Sequence, residues 1–156
     1  YTGIYIMANQ ARQYRNIPKC TMIWEVLEAA AKERKNSDKV IVLQHYKCAA
    51  LTDVLRGFYD KRVQFDLPKG EAPPYEATEE SPPSNLMRKN IMFKYFVKGT
   101  PDCRALGQIK KEKLFVQLLE SIHAKDSQLL VSMINKEKIP KLTSKTILEA
   151  FPGLYE

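Results

Sequence analysis

The residues of this chain best suited to chemistry are its cations. Lys136, Lys138, Lys141 and Lys145 crowd one short stretch, Arg104, Lys110, Lys111 and Lys113 a second, and Arg88, Lys89, Lys94 and Lys98 a third, with Arg56 and Arg62 standing apart. Clusters of this kind suit phosphate, because each phosphate they neutralise releases condensed counterions. Thr143 and Ser144 interleave with the last cluster and open a short helix, where backbone N–H groups and hydroxyls could meet a phosphate oxygen. The competing reading is that Thr143 only caps its helix and the lysines form a solvated face.

The chain as a whole points the same way. A formal net charge of +7 over 156 residues, with a pI near 9.3, favours an acidic partner. No glycine-rich phosphate loop, HExxH or GxSxG occurs, and Glu25 and Glu28 are one helical turn apart like many surface carboxylates, so no catalysis is expected. Cys20, Cys48 and Cys103 show no CxxC spacing and read as reduced thiols, neither disulfides nor zinc ligands. His45 and His123 read as structural or surface residues. No metal, cofactor or small-molecule substrate is expected. No apolar run approaches the ~18 residues that would span a membrane. Tyr14, Tyr46, Tyr59, Tyr95 and Phe96 could stack on bases but at helical spacing read as core. Nucleic-acid contact is therefore expected along a duplex backbone, not through stacked single-stranded bases.

The elements that must position these residues read as helices. Thr21 is expected to cap a helix through Ala31, with Ile23, Val26, Leu27 and Ala30 on one face. Asn36-Ser37-Asp38 breaks it and caps a short second helix through Val40, Ile41 and Leu43. The third runs from Ala49 to Asp60 with Leu51, Val54, Leu55 and Phe58 at i, i+3, i+4, i+7, and Gly57 inside it suggests a close helix–helix contact. Val63 to Pro68 reads as extended. Residues 66–84 hold five of the nine prolines and the acids Asp66, Glu71, Glu76, Glu79 and Glu80. They read as a long mobile loop without a core pattern, whose negative charge would keep it off a DNA-binding face. Ser84 is expected to cap a fourth helix from Leu86 to Val97, and Gly99-Thr100-Pro101-Asp102 is turn chemistry. Ile109 to His123 carries an apolar stripe of Leu114, Phe115, Leu118, Leu119 and Ile122. Two last helices are expected at about 127–136 and 143–150. Met7-Ala8-Asn9 looks like a translation start, so residues 1–6 are read as upstream remnant, residues 1–20 as an extension and residues 21–154 as the domain. The expected fold is an all-α, single-domain bundle of six to eight helices.

Two patterned blocks carry a resemblance. Residues 128–154 form an apolar helix, a lysine-rich turn with Ser144, and a second helix closing on Pro152-Gly153-Leu154. This block resembles the end of the helical N-terminal DNA-binding domain of ATP-dependent DNA ligases, especially those of large tailed phages. Trp24 to Leu43, followed by Leu51, Val54, Arg56, Tyr59, Gln64 and Phe65, resembles the opening of the same domain. The C-terminal match also includes Leu129, Leu130 and Lys136. Residues 66–108 have no counterpart. The whole chain is also similar to an uncharacterised family of small proteins from large myoviruses that share the helix opening, the proline-rich acidic loop and the closing Ala-Phe-Pro-Gly-Leu. The chain departs from a ligase in lacking the Lys-x-Asp-Gly that carries the adenylate; Lys125-Asp126-Ser127 is not one.

The resemblance implies a stand-alone, non-catalytic phage module that binds the phosphate backbone of duplex DNA without base specificity, with nicks or ends as special targets, in the cytoplasm of the infected host cell. Lys136, Lys138, Lys141, Thr143, Ser144 and Lys145 would grip one strand, and Lys110, Lys111 and Lys113 with Arg56 and Arg62 would extend the track. The alternative is a phage adaptor or virion protein that uses the same fold for protein–protein contacts with replication or virion partners.

Overall fold

A computed structural model describes residues 17–70, 73–78 and 80–155. The expected remnant at 1–6, the start at Met7 and Tyr14 all lie outside the described residues. Among the described residues there are eight α-helices, one 3-10 helix and no sheet: α1 Ile23–Lys32, α2 Asn36–His45, α3 Ala49–Tyr59, α4 Leu86–Lys89 continued by the 3-10 turn Asn90–Tyr95, α5 Pro101–Arg104, α6 Gln108–Ser121, α7 Ala124–Ile134 and α8 Ser144–Ala150. None of these helices is long and apolar enough to cross a membrane.

The architecture follows from the apolar faces. In α1, Ile23, Val26, Leu27, Ala29 and Ala30 are buried, and α1 lies against α2 and α7. In α3, Leu51, Val54 and Leu55 are completely shielded, and α3 crosses α7 at Gly57. A Cβ on Gly57 would come within 2.6 Å of Met133 Cγ, so the glycine is the notch in which α7 rests. Phe115, Leu118 and Leu119 of α6, with Ile122 just beyond it, close the other side of α7. Helix α2 is held to α8 by polar contacts, Asn36 Nδ2 donating to Glu149 Oε2 at 2.6 Å and Gln44 Nε2 to the Ala150 carbonyl at 3.0 Å.

The structure corrects several local expectations. Thr21 does not cap α1: its hydroxyl donates to Glu25 Oε1 at 3.0 Å, and the Trp24 N–H is taken instead by Asp126 Oδ1 of α7, 102 residues away, at 3.0 Å. Asn85, not Ser84, caps α4, because its side chain accepts from the Arg88 N–H. The expected long fourth helix is one α-turn that tightens to 3-10, placing Asn90 and Phe93 inward. Residues 17–20 belong to the fold: Tyr46 Oη donates to the Pro18 carbonyl at 2.5 Å and accepts the Cys20 N–H at 3.1 Å.

The described residues of the loop at 66–84 make contacts that its composition does not show. Leu67 is buried, and Tyr75 is half-buried against the core. Gly70 N–H donates to Asn135 Oδ1 at 2.8 Å while Asn135 Nδ2 donates to the Gly70 carbonyl at 2.9 Å. Further along, Ala124 N–H donates to the Thr78 carbonyl at 2.8 Å and Ser84 N–H to the Ser121 carbonyl at 2.8 Å. These pairings of Gly70, Thr78 and Ser84 with distant elements are invisible to composition.

Candidate functional site

Helix α3 ends at Tyr59, where its last carbonyls need partners. Asp60 turns the chain, accepting from its own Arg62 at the backbone N–H (3.0 Å) and at Nε (3.3 Å). Burial pushes the Asp60 carboxyl up, but the Arg62 bonds and charge outweigh it and hold it below the usual carboxylate range. The chain then runs extended, Asp66 N–H donating to the Phe96 carbonyl and Lys98 N–H to the Gln64 carbonyl, both at 2.7 Å. Leu67 tucks into the core, and the Asn135 clamp holds Gly70, so Lys69 between them is brought beside the end of α7.

Helix α7 ends in a left-handed turn. Lys136 has φ of 54°, Glu137 N–H donates to the Ser132 carbonyl at 3.0 Å and Lys136 N–H to the Met133 carbonyl at 3.1 Å, the paired bonds of a Schellman stop. Glycine is the usual occupant of such a position. Here the lysine has a use: its Nζ donates to the carbonyls of Gly57 (2.5 Å) and Asp60 (3.0 Å) and lies 5.5 Å from the Phe65 ring centroid. It thus satisfies the open end of α3, where the helix dipole favours a cation. Burial pulls the Lys136 ammonium below its ordinary pKa, with the nearby Asp60 charge opposing and Lys69 adding to the fall.

Between the end of α3, the start of the 66–84 loop and the α7–α8 turn lies a groove of about 800 Å³. Lys61, Lys69, Lys136, Lys138 and Lys141 line it, with Tyr59, Glu137, Pro140, Thr143 and Ser144. Tyr59 Oη donates to the Leu142 carbonyl at 2.7 Å and its ring stacks on Tyr155, which fixes one wall. Burial raises the Tyr59 pKa, so the phenol stays a neutral donor. Lys141 takes φ of 63°, and its carbonyl accepts Lys39 Nζ at 2.6 Å, so this turn is anchored from α2 as well. The side chains of Lys61, Lys69, Lys138 and Lys141 are left exposed at the rim.

Of the residues singled out in the sequence, Lys136, Lys138, Lys141, Thr143 and Ser144 come together in this groove, and Lys145 is exposed one residue beyond it. The structure corrects others. Lys111 is 3% exposed and its Nζ lies 2.5 Å from Asp66 Oδ2, a bond that raises the lysine's pKa and lowers the aspartate's; it joins α6 to the loop and cannot reach a backbone phosphate. Lys136 is a helix cap first, its ammonium committed to two carbonyls. Thr143 Oγ1 accepts the Thr146 N–H at 3.3 Å and Ser144 Oγ pairs with Tyr155 Oη at 2.5 Å, so both hydroxyls serve the fold. Lys110 and Lys113 are exposed on α6 but do not line the groove, and Arg56 lines a neighbouring cleft. Lys61 and Lys69 join the groove without having stood out in the sequence. Lys61 sits beside Arg62 in an ordinary turn, and Lys69 lies in the stretch read as acidic and remote; the Gly70–Asn135 pairing that brings it in leaves no local signal.

No curated protein matches the chain. A family model matches residues 26–139, from α1 through α7 to the near edge of the groove, and includes Lys61, Lys69, Lys136 and Lys138. The chain belongs to that family, DUF6433, a family of unknown function.

Proposed function

We propose that this chain is a non-catalytic module that binds the phosphate backbone of duplex DNA, in the cytoplasm of a phage-infected cell. One observation carries the reading: four exposed lysines from three separate segments, Lys61, Lys69, Lys138 and Lys141, line one groove. The groove also holds Glu137 and Asp60, but its cations outnumber them, and a backbone of regularly spaced phosphates is an anion that suits the excess. The resemblance of residues 128–154 to the end of the ligase DNA-binding domain supports the same reading. Base reading is not part of it, since lysines on flexible stems act as point charges.

The test is fluorescence-anisotropy binding of intact duplex, nicked duplex and single strand across a salt series. Four phosphate contacts give a slope of log affinity on log salt of about −3.6, that is about −0.9 for each contact on duplex. Lys138→Glu with Lys141→Glu lowers duplex affinity at least tenfold at low salt and flattens the slope by about 2, with helical content unchanged. A slope near zero, or unchanged affinity in the double variant, removes the groove from DNA binding.

A second reading, an adaptor or virion component, is favoured by apolar side chains left in solvent, Ile109 at 73% and Ile91 at 69% exposure. Large exposed apolar residues suit a protein interface. Binding to a protein partner that tolerates high salt, with no duplex binding, is the outcome that selects it.

A further inference from the structure

On the other side of the α3 terminus from the groove lies a smaller cleft of about 310 Å³ between α3 and the 3-10 turn. Phe65 and Phe93 line it, with Val63 and Val97. Its polar part is a pair, Asn90 Nδ2 donating to Asp53 Oδ2 at 2.8 Å. Arg56 and Lys94, each about half exposed at 47% and 51%, stand at its rim in long ion pairs, Arg56 Nη1 3.6 Å from Asp53 Oδ1 and Lys94 Nζ 3.9 Å from Asp102 Oδ2. Groove and cleft are neighbours: Lys136 lines the groove, yet its Nζ bonds the Gly57 carbonyl and lies over the Phe65 ring, and Gly57 and Phe65 both line the cleft.

We propose that this cleft takes one unstacked nucleobase of a DNA strand whose phosphates lie along the lysine groove; the proposal rests on the groove being a phosphate-binding site. The volume lies at the small end of the range for ligand sites, roughly 300–1,000 Å³, which suits a single base and not a larger ligand. Phe65 and Phe93, 5% and 8% exposed, with the half-buried Val63 and Val97 give the cleft an apolar floor for a flat heterocycle. The Asp53 carboxylate is 33% exposed; its Oδ2 accepts from Asn90 and its Oδ1 lies 3.6 Å from Arg56 Nη1, a long ion pair that leaves lone pairs to accept from an exocyclic amino group on the base edge. Arg56 and Lys94 at the mouth would exchange their exposed ion pairs, each worth little in water, for the phosphates that flank such a base. Because pulling a paired base from the stack costs its pairing and stacking, the cleft acts where a base is already unpaired.

The full-length chain is tested by anisotropy against a duplex carrying one extra unpaired adenine and against the same duplex fully paired. The expected result is at least fivefold tighter binding of the duplex with the unpaired base. Val97→Phe fills the cleft and abolishes that preference while leaving affinity for the paired duplex unchanged, with circular dichroism verifying the fold. Ile91→Trp, at a position already exposed, covers the mouth and does the same without touching the core. Equal affinity for both duplexes, or a preference that survives in both variants, overturns the cleft proposal while salt-dependent binding of paired duplex keeps the groove. Absence of binding to paired duplex at low salt overturns the groove reading and the cleft with it.

Discussion

Asp126 is 1% exposed, yet it is an ionisable carboxyl at the point where α1 meets α7. Its one near-ideal task is to accept the Trp24 N–H and so cap α1 across the fold. Burial is the largest influence and pushes its pKa up to about 6; the Trp24 bond and the His123 charge resist, and Glu25 adds to the rise. The folded pKa lies above the ordinary carboxylate value, so the folded chain holds a proton more tightly than the unfolded one. Stability from this group is fully present below the ordinary carboxylate range and is lost as pH rises through about 6. A rise of this size corresponds to about 3 kcal/mol of cost at pH 7.5. Asp126→Asn keeps an oxygen for the Trp24 N–H and removes the charge. After about 1 kcal/mol lost to the new buried amide N–H groups, the variant is expected to be about 1–2 kcal/mol more stable at pH 7.5 and no more stable at pH 4.5. Urea unfolding at the two pH values decides; equal shifts at both would mean that burial does not govern this carboxyl.

At the scale of elements, the crossing of α3 and α7 fixes where the groove can be. Gly57 was legible in the sequence as a close-contact glycine because it interrupts an otherwise apolar helix face, and the Met133 side chain does occupy that space. The helices with regular apolar periods were legible for the same reason: α1, α3 and α6 each repeat large apolar residues at a spacing that only one secondary structure turns to one side. The caps were less so. Cys48 accepts the Leu51 N–H for α3 and Asp126 serves α1, and neither follows from local capping preferences. Lys136 stood out in the sequence as a phosphate ligand, yet its left-handed backbone comes from the stop of α7 and its two carbonyl partners lie at the end of α3, 76 or more positions away in sequence. At Gly57 two effects compete. Alanine gains about 1 kcal/mol of helix propensity, whereas a methyl placed 2.6 Å from Met133 Cγ and 3.2 Å from Phe65 Cζ must displace a packed side chain. Overpacking of this kind costs about 1–3 kcal/mol. Gly57→Ala is therefore expected to destabilise the fold by about 1 kcal/mol, as the difference of these two effects, and to cost less than that in a Met133→Ala background, which itself loses about 2–5 kcal/mol. Thermal unfolding of the single and double variants tests the notch; additive losses would show that the two residues do not meet.

For the molecule as a whole, the loop at 66–84 decides how the lysines act together. Its acidic, proline-rich composition suggests a segment held away from an anion, and local composition is all that a single sequence displays. Its first residues do the opposite in space, because Leu67 enters the core and Asn135 clamps Gly70 from both sides. Lys69 is thereby held at the groove instead of sweeping through solvent. If the groove binds phosphate, part of the affinity comes from this restraint, since an ordered cation loses less freedom on binding than a free one. Asn135→Ala removes two hydrogen bonds and about 1–2 kcal/mol of local restraint, without changing any charge. It is expected to weaken duplex binding two- to fivefold, and Lys69→Ala to weaken it by about the same factor, since one phosphate contact is at stake in each. The decisive variant is the combination of the two. When Asn135 acts by positioning Lys69, the double variant binds no worse than Lys69→Ala alone, a coupling that a double-mutant cycle reads directly. Effects that multiply in the double variant would mean that Lys69 reaches the phosphate unaided and that the clamp serves the fold only.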